Sequence, residues 1–130
     1  MNPRPILSVC LLAAAVNGAP APAAEERLQH LETYRAKGIS QIDEENGRRL
    51  WYTTANGRGC TNCHGDDPGK SGKHVKTGKI IEPMALSVNR ARFQDAEKIE
   101  KWFLRNCKWT FARECNTQEK ADILAWLSSQ

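Results

Sequence analysis

Apolar residues recur at helical spacing in four separate segments of the chain. In the first segment, 25–37, Leu28, Leu31 and Tyr34 stand three residues apart on an otherwise polar run that ends at Gly38. Intervals of three and four residues place side chains on one face of an α-helix. The segment therefore predicts a surface helix that glycine terminates.

A second helix is predicted to begin at Asp43, whose side chain is a favourable N-cap. Glu44 and Glu45 follow in the first turn, where the helix dipole favours negative charge. Gly47 stands four residues before Trp51, inside the helix. Because a helical glycine costs about 1 kcal/mol relative to alanine, Gly47 predicts a close crossing by another backbone.

In the third segment, the last position of the apolar face is an asparagine, Asn106. Asp95 is a good N-cap, and Ile99, Trp102, Phe103 and Asn106 then fall at helical positions i, i+3, i+4 and i+7. A buried amide needs a hydrogen-bond partner or a ligand, whereas an asparagine at a helix end caps it locally. Both interpretations of Asn106 stay open on the pattern alone.

The last segment predicts a buried C-terminal helix. Thr117 can cap it with Glu119 in the first turn, and Ile123, Leu124 and Leu127 form its apolar stripe. No internal repeat and no strand-like alternation interrupts the four segments. The pattern therefore predicts an all-α fold of about four helices.

A glycine-rich loop, 56–82, begins with the motif Cys60-Thr61-Asn62-Cys63-His64. Two thiols three residues apart can each form a thioether with one haem vinyl group, and the next residue's imidazole can reach the iron. Cys60 and Cys63 are the predicted tethers of one haem c and His64 the proximal ligand. A zinc half-site or a redox pair has the same C-x-x-C spacing, but the other cysteines supply no second ligand pair.

The N-terminus is typical of a secretory signal peptide. Arg4 is followed by a short apolar run, 6–16, and then by small residues up to Ala24. We expect cleavage after Ala23, which gives a signal peptide at 1–23, a cytochrome domain at 24–130 and a periplasmic location. Since the apolar run is well short of the ~20 residues that span a bilayer, no membrane insertion is expected after cleavage.

Cleavage leaves four of the five cysteines and a net charge of +3, because Arg4 is removed from a chain of charge +4. Cys107 and Cys115 are an even pair, for which a disulfide is the expected state in an exported protein. A charge this small gives no argument for nucleic acid. The lysines within 70–79 are either a solvated loop or a patch that steers an acidic redox partner.

The chain resembles the class I cytochromes c in four places. These are the helix with Gly47 and Trp51, the haem motif after it, Thr77-Gly78-Lys79 leading to Pro83, and the C-terminal run 121–127. The resemblance implies that the first and last helices of the fold cross at the glycine. It also implies that the Pro83 carbonyl accepts a hydrogen bond from His64.

The distal ligand departs from the common pattern of that class, which uses a late methionine. After cleavage the chain keeps one methionine, Met84, next to Pro83 on the side of His64. Packing beside the haem is therefore its expected role, with iron ligation as the alternative.

The segments 100–107, 113–115 and 119–122 resemble the sphaeroides haem protein family of small periplasmic c-type cytochromes. The resemblance implies that Asn106 is the sixth iron ligand and dissociates on reduction, so that oxygen or nitric oxide can bind. It further implies a disulfide between Cys107 and Cys115 and a redox partner cytochrome, a dihaem cytochrome c in that family.

Two functions are consistent with the sequence. The first is a haem protein that accepts electrons and then binds O2 or NO. Only the family resemblance implies that it could also carry out chemistry on the bound gas. The second is a plain electron carrier with Met84, His30 or His74 as a permanent sixth ligand. A surface helix carries His30 and a loop carries His74, which favours solvated roles for both.

Overall fold

The computed structural model describes residues 22–130, so the predicted signal peptide, except for its last two residues, lies outside the described residues. The described chain is all-α apart from one two-stranded antiparallel hairpin. Its elements are α1 (Pro22–Ala36), α2 (Glu44–Tyr52), α3 (Thr61–His64), β1 (Gly72–Lys73), β2 (Ile80–Ile81), α4 (Ala96–Phe111) and α5 (Thr117–Ser129).

None of the described helices combines the length and the hydropathy that a membrane span requires.

The fold is organised around the crossing of α2 and α5, and the predicted role of Gly47 is confirmed there. A Cβ added at Gly47 would collide with the backbone carbonyl of Asp122 on α5. Glycine therefore lets the two helix backbones approach more closely than any side chain permits. The predicted N-cap of α2 is also confirmed, since Asp43 accepts a hydrogen bond from the Asn46 amide at 2.9 Å.

A buried carboxylate ties the start of α2 to α5. Asp122 is 1% exposed, and its Oδ1 accepts from the Asp43 amide at 2.8 Å and from Gln118 Nε2 at 2.7 Å. Its Oδ2 accepts from Asn46 Nδ2 at 2.7 Å. Because both oxygens have donors, the carboxylate can remain in the interior.

Two clusters of buried side chains make the core, and α5 contributes to both. Every residue of α5 from Ala121 to Ser128 is buried. This part of the helix is therefore covered on all sides and not only along the predicted apolar stripe. The first cluster joins α5 to α1 and contains Leu31, Tyr34, Ala121, Leu124 and Ala125. The second joins α5 to α2 and contains Trp51, Ile123, Trp126 and Leu127.

The third predicted helix, α4, is attached differently. Its N-cap, Asp95, is confirmed by a 3.0 Å hydrogen bond from the Lys98 amide. Among the described helices, α4 makes only sparse backbone contacts with the others. Its side chains hold it instead, since Phe103 packs against both core clusters. Glu100 also pairs with Lys37 at 3.2 Å and with Lys120 at 2.7 Å.

Two details of the helix ends differ from prediction. The cap of α5 is Asn116 rather than Thr117; its side chain accepts from the Glu119 amide at 2.9 Å, and Glu119 reaches back to the Asn116 amide at 3.0 Å. This reciprocal pair satisfies two N–H groups at the helix start, which a Thr117 cap would not. Helix α4 runs on to Phe111 and ends at Ala112, which is left-handed with φ 56°.

Candidate functional site

The predicted attachment motif forms the single turn α3. Cys60 immediately precedes the turn, and its carbonyl accepts the His64 amide at 3.0 Å. Gly65 then ends the turn with a positive φ of 73°, which glycine adopts readily. Residues three and four positions apart lie on one side of a helix, so Cys60, Cys63 and His64 are presented together. The two thiols are not bonded to each other.

The first of these thiols lies between the core and α4. Cys60 packs against the cluster of Trp51 and Trp126. Burial raises the pKa of its thiol to about 11, and a hydrogen bond with the Thr110 hydroxyl of α4 acts in the opposite direction. The motif thus contacts α4 one turn beyond Asn106.

His64 is a neutral imidazole at neutral pH. Burial, and then the nearby positive charge of Arg92, lower its pKa to about 4. Its ring centroid lies 5.2 Å from that of Trp51 on α2. Neutral imidazole is the form that binds metals, so the environment favours ligation. Among the described residues, none provides a hydrogen-bond partner for Nδ1.

The predicted bond from His64 to Pro83 is not formed in this structure. The Pro83 carbonyl instead accepts from Arg92 Nε at 3.0 Å and from Asn89 Nδ2 at 3.3 Å. Arg92 Nη2 also donates to the Glu82 carbonyl at 2.6 Å. A carbonyl with two donors has both lone pairs engaged, which explains why the imidazole is not bonded to it. Sequence reasoning missed Arg92, and no local pattern distinguishes it from other loop arginines.

Met84 packs against the second core cluster, and its expected place on the side of His64 stays a prediction. Its side chain is partly buried against the cluster that contains Trp51, whose ring contacts His64. Its amide donates to the Pro68 carbonyl at 2.8 Å. The placement supports a packing role for Met84.

Asn106 lies inside α4 rather than at its end. The helix continues five residues beyond it to Phe111, so the interpretation of Asn106 as a helix-end cap is wrong. Its side chain is exposed, and so is that of Trp102, at 51%, which contradicts the expectation of a protein-buried face. Of the α4 residues only Cys107 and Thr110 are buried, so the predicted apolar face of this helix is at most partly covered.

Asn106 lies within about one helical turn of α4 residues that contact the core and the motif. Thr110, beside the Cys60 thiol, follows Asn106 by four positions, and Phe103, which packs on both core clusters, precedes it by three. Trp109 adds a contact near the motif, since the Arg58 guanidinium lies 5.7 Å from its ring centroid. Residues three and four positions apart are neighbours on a helix surface. Asn106 is therefore exposed on α4 one helical turn before the residue that contacts Cys60.

A disulfide fixes the end of this helix. Cys107, directly after Asn106, is bonded to Cys115 with an S–S distance of 2.02 Å and a Cα–Cα distance of 5.6 Å. The two positions are eight apart, and Asn116 rather than histidine follows Cys115, so the pair does not repeat the C-x-x-C-H pattern. The bridge joins the last turns of α4 to the residue before the N-cap of α5.

The two other histidines lie outside this arrangement. His30 lines a cavity of about 390 Å³ between α1 and α4 whose walls include none of Cys60, Cys63 and His64. His74 belongs to the β1–β2 hairpin, where its Nδ1 accepts from the Lys76 and Thr77 amides at 3.3 and 3.2 Å.

The donor set fits a c-type haem. Two thiols at the required spacing and a neutral imidazole come from one helical turn, and His64 Nδ1 is buried without a partner. In the described part of the chain, no three histidine, cysteine or acidic side chains converge as a metal cluster, so the zinc alternative lacks ligands. Fold and site together define a class I c-type cytochrome.

Comparison with known proteins assigns the chain to one family within this class. Residues 37–127 match a family described as a domain of unknown function, DUF1924. Cytochrome c-type protein SHP of Cereibacter sphaeroides is 40% identical over 130 residues, which cover 96% of each chain. The chain therefore belongs to the SHP, or sphaeroides haem protein, family and carries one covalent haem c.

Solved structures agree with this assignment. The structure of oxidized SHP, described as an oxygen binding cytochrome c, matches with a TM-score of 0.74 at 40% identity, covering 80% of this chain and 96% of that one. The solution structure of cytochrome c'' from Methylophilus methylotrophus, which concerns haem-ligand detachment, has a TM-score of 0.61 at 27% identity. That match covers 83% of this chain and 93% of the other.

Proposed function

We propose that this protein is a periplasmic monohaem cytochrome that accepts electrons and, when reduced, releases Asn106 so that O2 or NO can bind. Cys60 and Cys63 are the thioether tethers and His64 is the proximal ligand in this proposal. Residues 1–23 are the export signal and 24–130 the cytochrome domain. The bound haem supplies an iron that changes oxidation state and can bind diatomic gases.

The observation that carries the proposal is the placement of Asn106. Its amide is exposed on α4, one turn before Thr110 and its contact with Cys60. Local capping does not account for the residue, because α4 continues past it. The descriptions of the relatives are consistent with this role, since they name oxygen binding for SHP and haem-ligand detachment for cytochrome c''.

The chemistry of the amide explains why reduction would release it. An amide oxygen is a hard, neutral donor that suits ferric iron better than ferrous iron, whereas a thioether sulfur favours the reduced state. Asn106 would therefore bind in the oxidised protein and leave in the reduced one. Met84 packs against the second core cluster, and in this proposal it stays there as a packing residue and does not replace Asn106.

Electrons would come from another cytochrome, by the family resemblance a dihaem cytochrome c. The exposed lysines of the hairpin region, Lys70, Lys73, Lys76 and Lys79, form a basic patch that could attract an acidic surface of such a partner. The competing function is a carrier whose sixth ligand never leaves.

Spectra of the haem-loaded protein distinguish the two functions. We expect a low-spin ferric wild type that becomes high-spin on reduction and binds carbon monoxide at once. Asn106→Ala should lose the low-spin ferric form, whereas Lys101→Ala, an exposed change ~140° away around α4, should not. A ferrous wild type that stays low-spin and ignores carbon monoxide, or a Met84→Leu variant that alone loses the ferric low-spin form, would contradict the proposal.

A further inference from the structure

One ring nitrogen of His64 has no hydrogen-bond partner in the described part of the chain, whereas the carbonyl that was expected to bond it already accepts from two other donors. Its buried Nδ1 has no partner among the described residues, while the Pro83 carbonyl accepts from both Arg92 and Asn89. In metal sites the second ring nitrogen of a ligating histidine is almost always hydrogen-bonded, and that bond raises the basicity of the ligand. Here that acceptor is occupied by other donors.

Arg92 is the residue responsible for this arrangement. Its guanidinium spans two consecutive carbonyls, with Nε 3.0 Å from the Pro83 oxygen and Nη2 2.6 Å from the Glu82 oxygen. The side chain is partly buried, and its charge is close enough to the His64 imidazole to lower the pKa of that group. The Glu82 carboxylate is the opposing charge nearby and offsets part of its field.

We propose that Arg92 is a positioning residue that raises the reduction potential of the haem by keeping the Pro83 carbonyl from His64 and by holding a positive charge beside the imidazole. Both effects act in one direction. An imidazole without an acceptor is a weaker donor to ferric iron, and a nearby cation disfavours the oxidation state with the extra positive charge. Arginine suits the role because its planar fork can hold two acceptors and stays charged.

This inference rests on His64 as the proximal ligand and is independent of Asn106. The effect would favour electron acceptance, and hence the reduced state in which the distal side is proposed to open. An amide sixth ligand favours the ferric state, so Arg92 would counteract it from the opposite face.

The test compares three variants of the haem-loaded full chain by spectroelectrochemical titration. Arg92→Gln removes the charge and the fork, Arg92→Lys keeps the charge alone, and Arg90→Gln removes an equal charge from an exposed side chain two residues away. We expect Arg92→Gln to shift the ferric-to-ferrous ratio about tenfold toward ferric, which is about 59 mV for one electron. Arg92→Lys should shift it roughly threefold and Arg90→Gln less than twofold.

Equal potentials for Arg92→Gln and Arg90→Gln, or a shift toward ferrous, would overturn the inference. Should the glutamine variant fail to retain haem, the lysine variant decides: a shift toward ferric that exceeds the Arg90→Gln shift supports the inference, and an equal one contradicts it. A merely structural role would lower the thermal midpoint without this order of potentials.

Two added measurements separate this inference from the proposed function. Carbon monoxide binding in each variant reports on Asn106, so intact gas binding with no potential shift rejects only the role of Arg92. A potential shift without gas binding rejects only the opening of the distal side. If His64→Ala keeps the wild-type ferric spectrum, the shared assumption about His64 is wrong and both ideas fail together.

Discussion

The helices α2 and α5 and the helix α4 are held in the protein by different means. Where α2 crosses α5, backbone meets backbone at Gly47, and the buried Asp122 carboxylate pins the two elements together. Helix α4 has only sparse backbone contacts with the other described helices, and side chains attach it through the packing of Phe103 on both core clusters, the Glu100 ion pairs and the Cys107–Cys115 bridge. The first joint is made by backbone against backbone, and the second by side chains alone.

Each proposed axial ligand belongs to one of these regions. His64 lies against Trp51 of α2, in the tightly packed region, whereas Asn106 is exposed on α4. A redox-linked opening would require a fixed ligand and a releasable one, and the proposed pair would place the first beside the backbone crossing and the second on the helix that side chains attach. Destabilising each region in turn tests whether the difference is real.

The largest effect is expected at the helix crossing. Gly47→Val would drive a side chain into the Asp122 carbonyl, so we expect a cost at or above the upper end of the roughly 1–3 kcal/mol that is typical of overpacking. We expect a large fall in the free energy of unfolding, measured by denaturant titration of the haem-loaded protein. Gly69→Ala is the control, because its nearest neighbour is the exposed Asp67 carboxylate at 3.1 Å, which can move. Similar losses in both variants would refute the importance of the crossing.

The disulfide should rank second. Replacing Cys107 and Cys115 by serine removes a constraint across eight positions, which the chain-entropy model rates at roughly 2–3 kcal/mol. Because the bridge adjoins Asn106, we also expect faster carbon monoxide binding after reduction, measured by stopped flow. Lower stability with unchanged kinetics of gas binding would show that the bridge stabilises the fold but does not affect the release of Asn106.

The smallest effect concerns the start of α5. Arg113 makes two 2.7 Å hydrogen bonds to Glu119, which hold the pKa of that carboxyl below its usual value of 4.5. The folded state binds this proton less tightly than the unfolded state, so the stabilisation is present above pH 4.5 and is lost as pH falls through the lowered pKa.

Glu119→Gln keeps a side chain that can complete the N-terminal cap but removes the ion pair. We expect a loss of less than about 1 kcal/mol at pH 7, since such pairs are partly exposed. Unfolding at several pH values checks it. A difference from wild type that does not shrink below pH 4.5 would show that the ion pair is not its source.

The sequence was informative where chemistry or backbone geometry demands one residue type. Asp43 and Asp95 as caps, Gly47 at a helix crossing and the C-x-x-C-H turn all follow from local rules, and the structure has each of them. A helix start needs an acceptor and a close crossing needs glycine, whatever the rest of the fold does.

Features that depend on distant partners were missed. Asp122 looks like an ordinary polar position of α5, and only the fold brings three donors to it from α2 and its own helix. Arg92 also depends on the fold, since its hydrogen bond to the Pro83 carbonyl takes the place of the expected bond from His64. The exposure of Trp102 also differs from its place in an apolar pattern, because periodicity predicts a face but not what covers it.

The most direct test of the central claim is the binding of carbon monoxide to the reduced haem-loaded protein, followed by stopped flow in wild type and in Asn106→Ala. If Asn106 leaves the iron on reduction, ferrous wild type binds the gas at a rate close to that of the alanine variant, while only wild type is low-spin when ferric. A reduced wild type that stays low-spin and binds carbon monoxide far more slowly than the variant would show that Asn106 is a permanent ligand. No difference between the two proteins in either oxidation state would show that it is not a ligand.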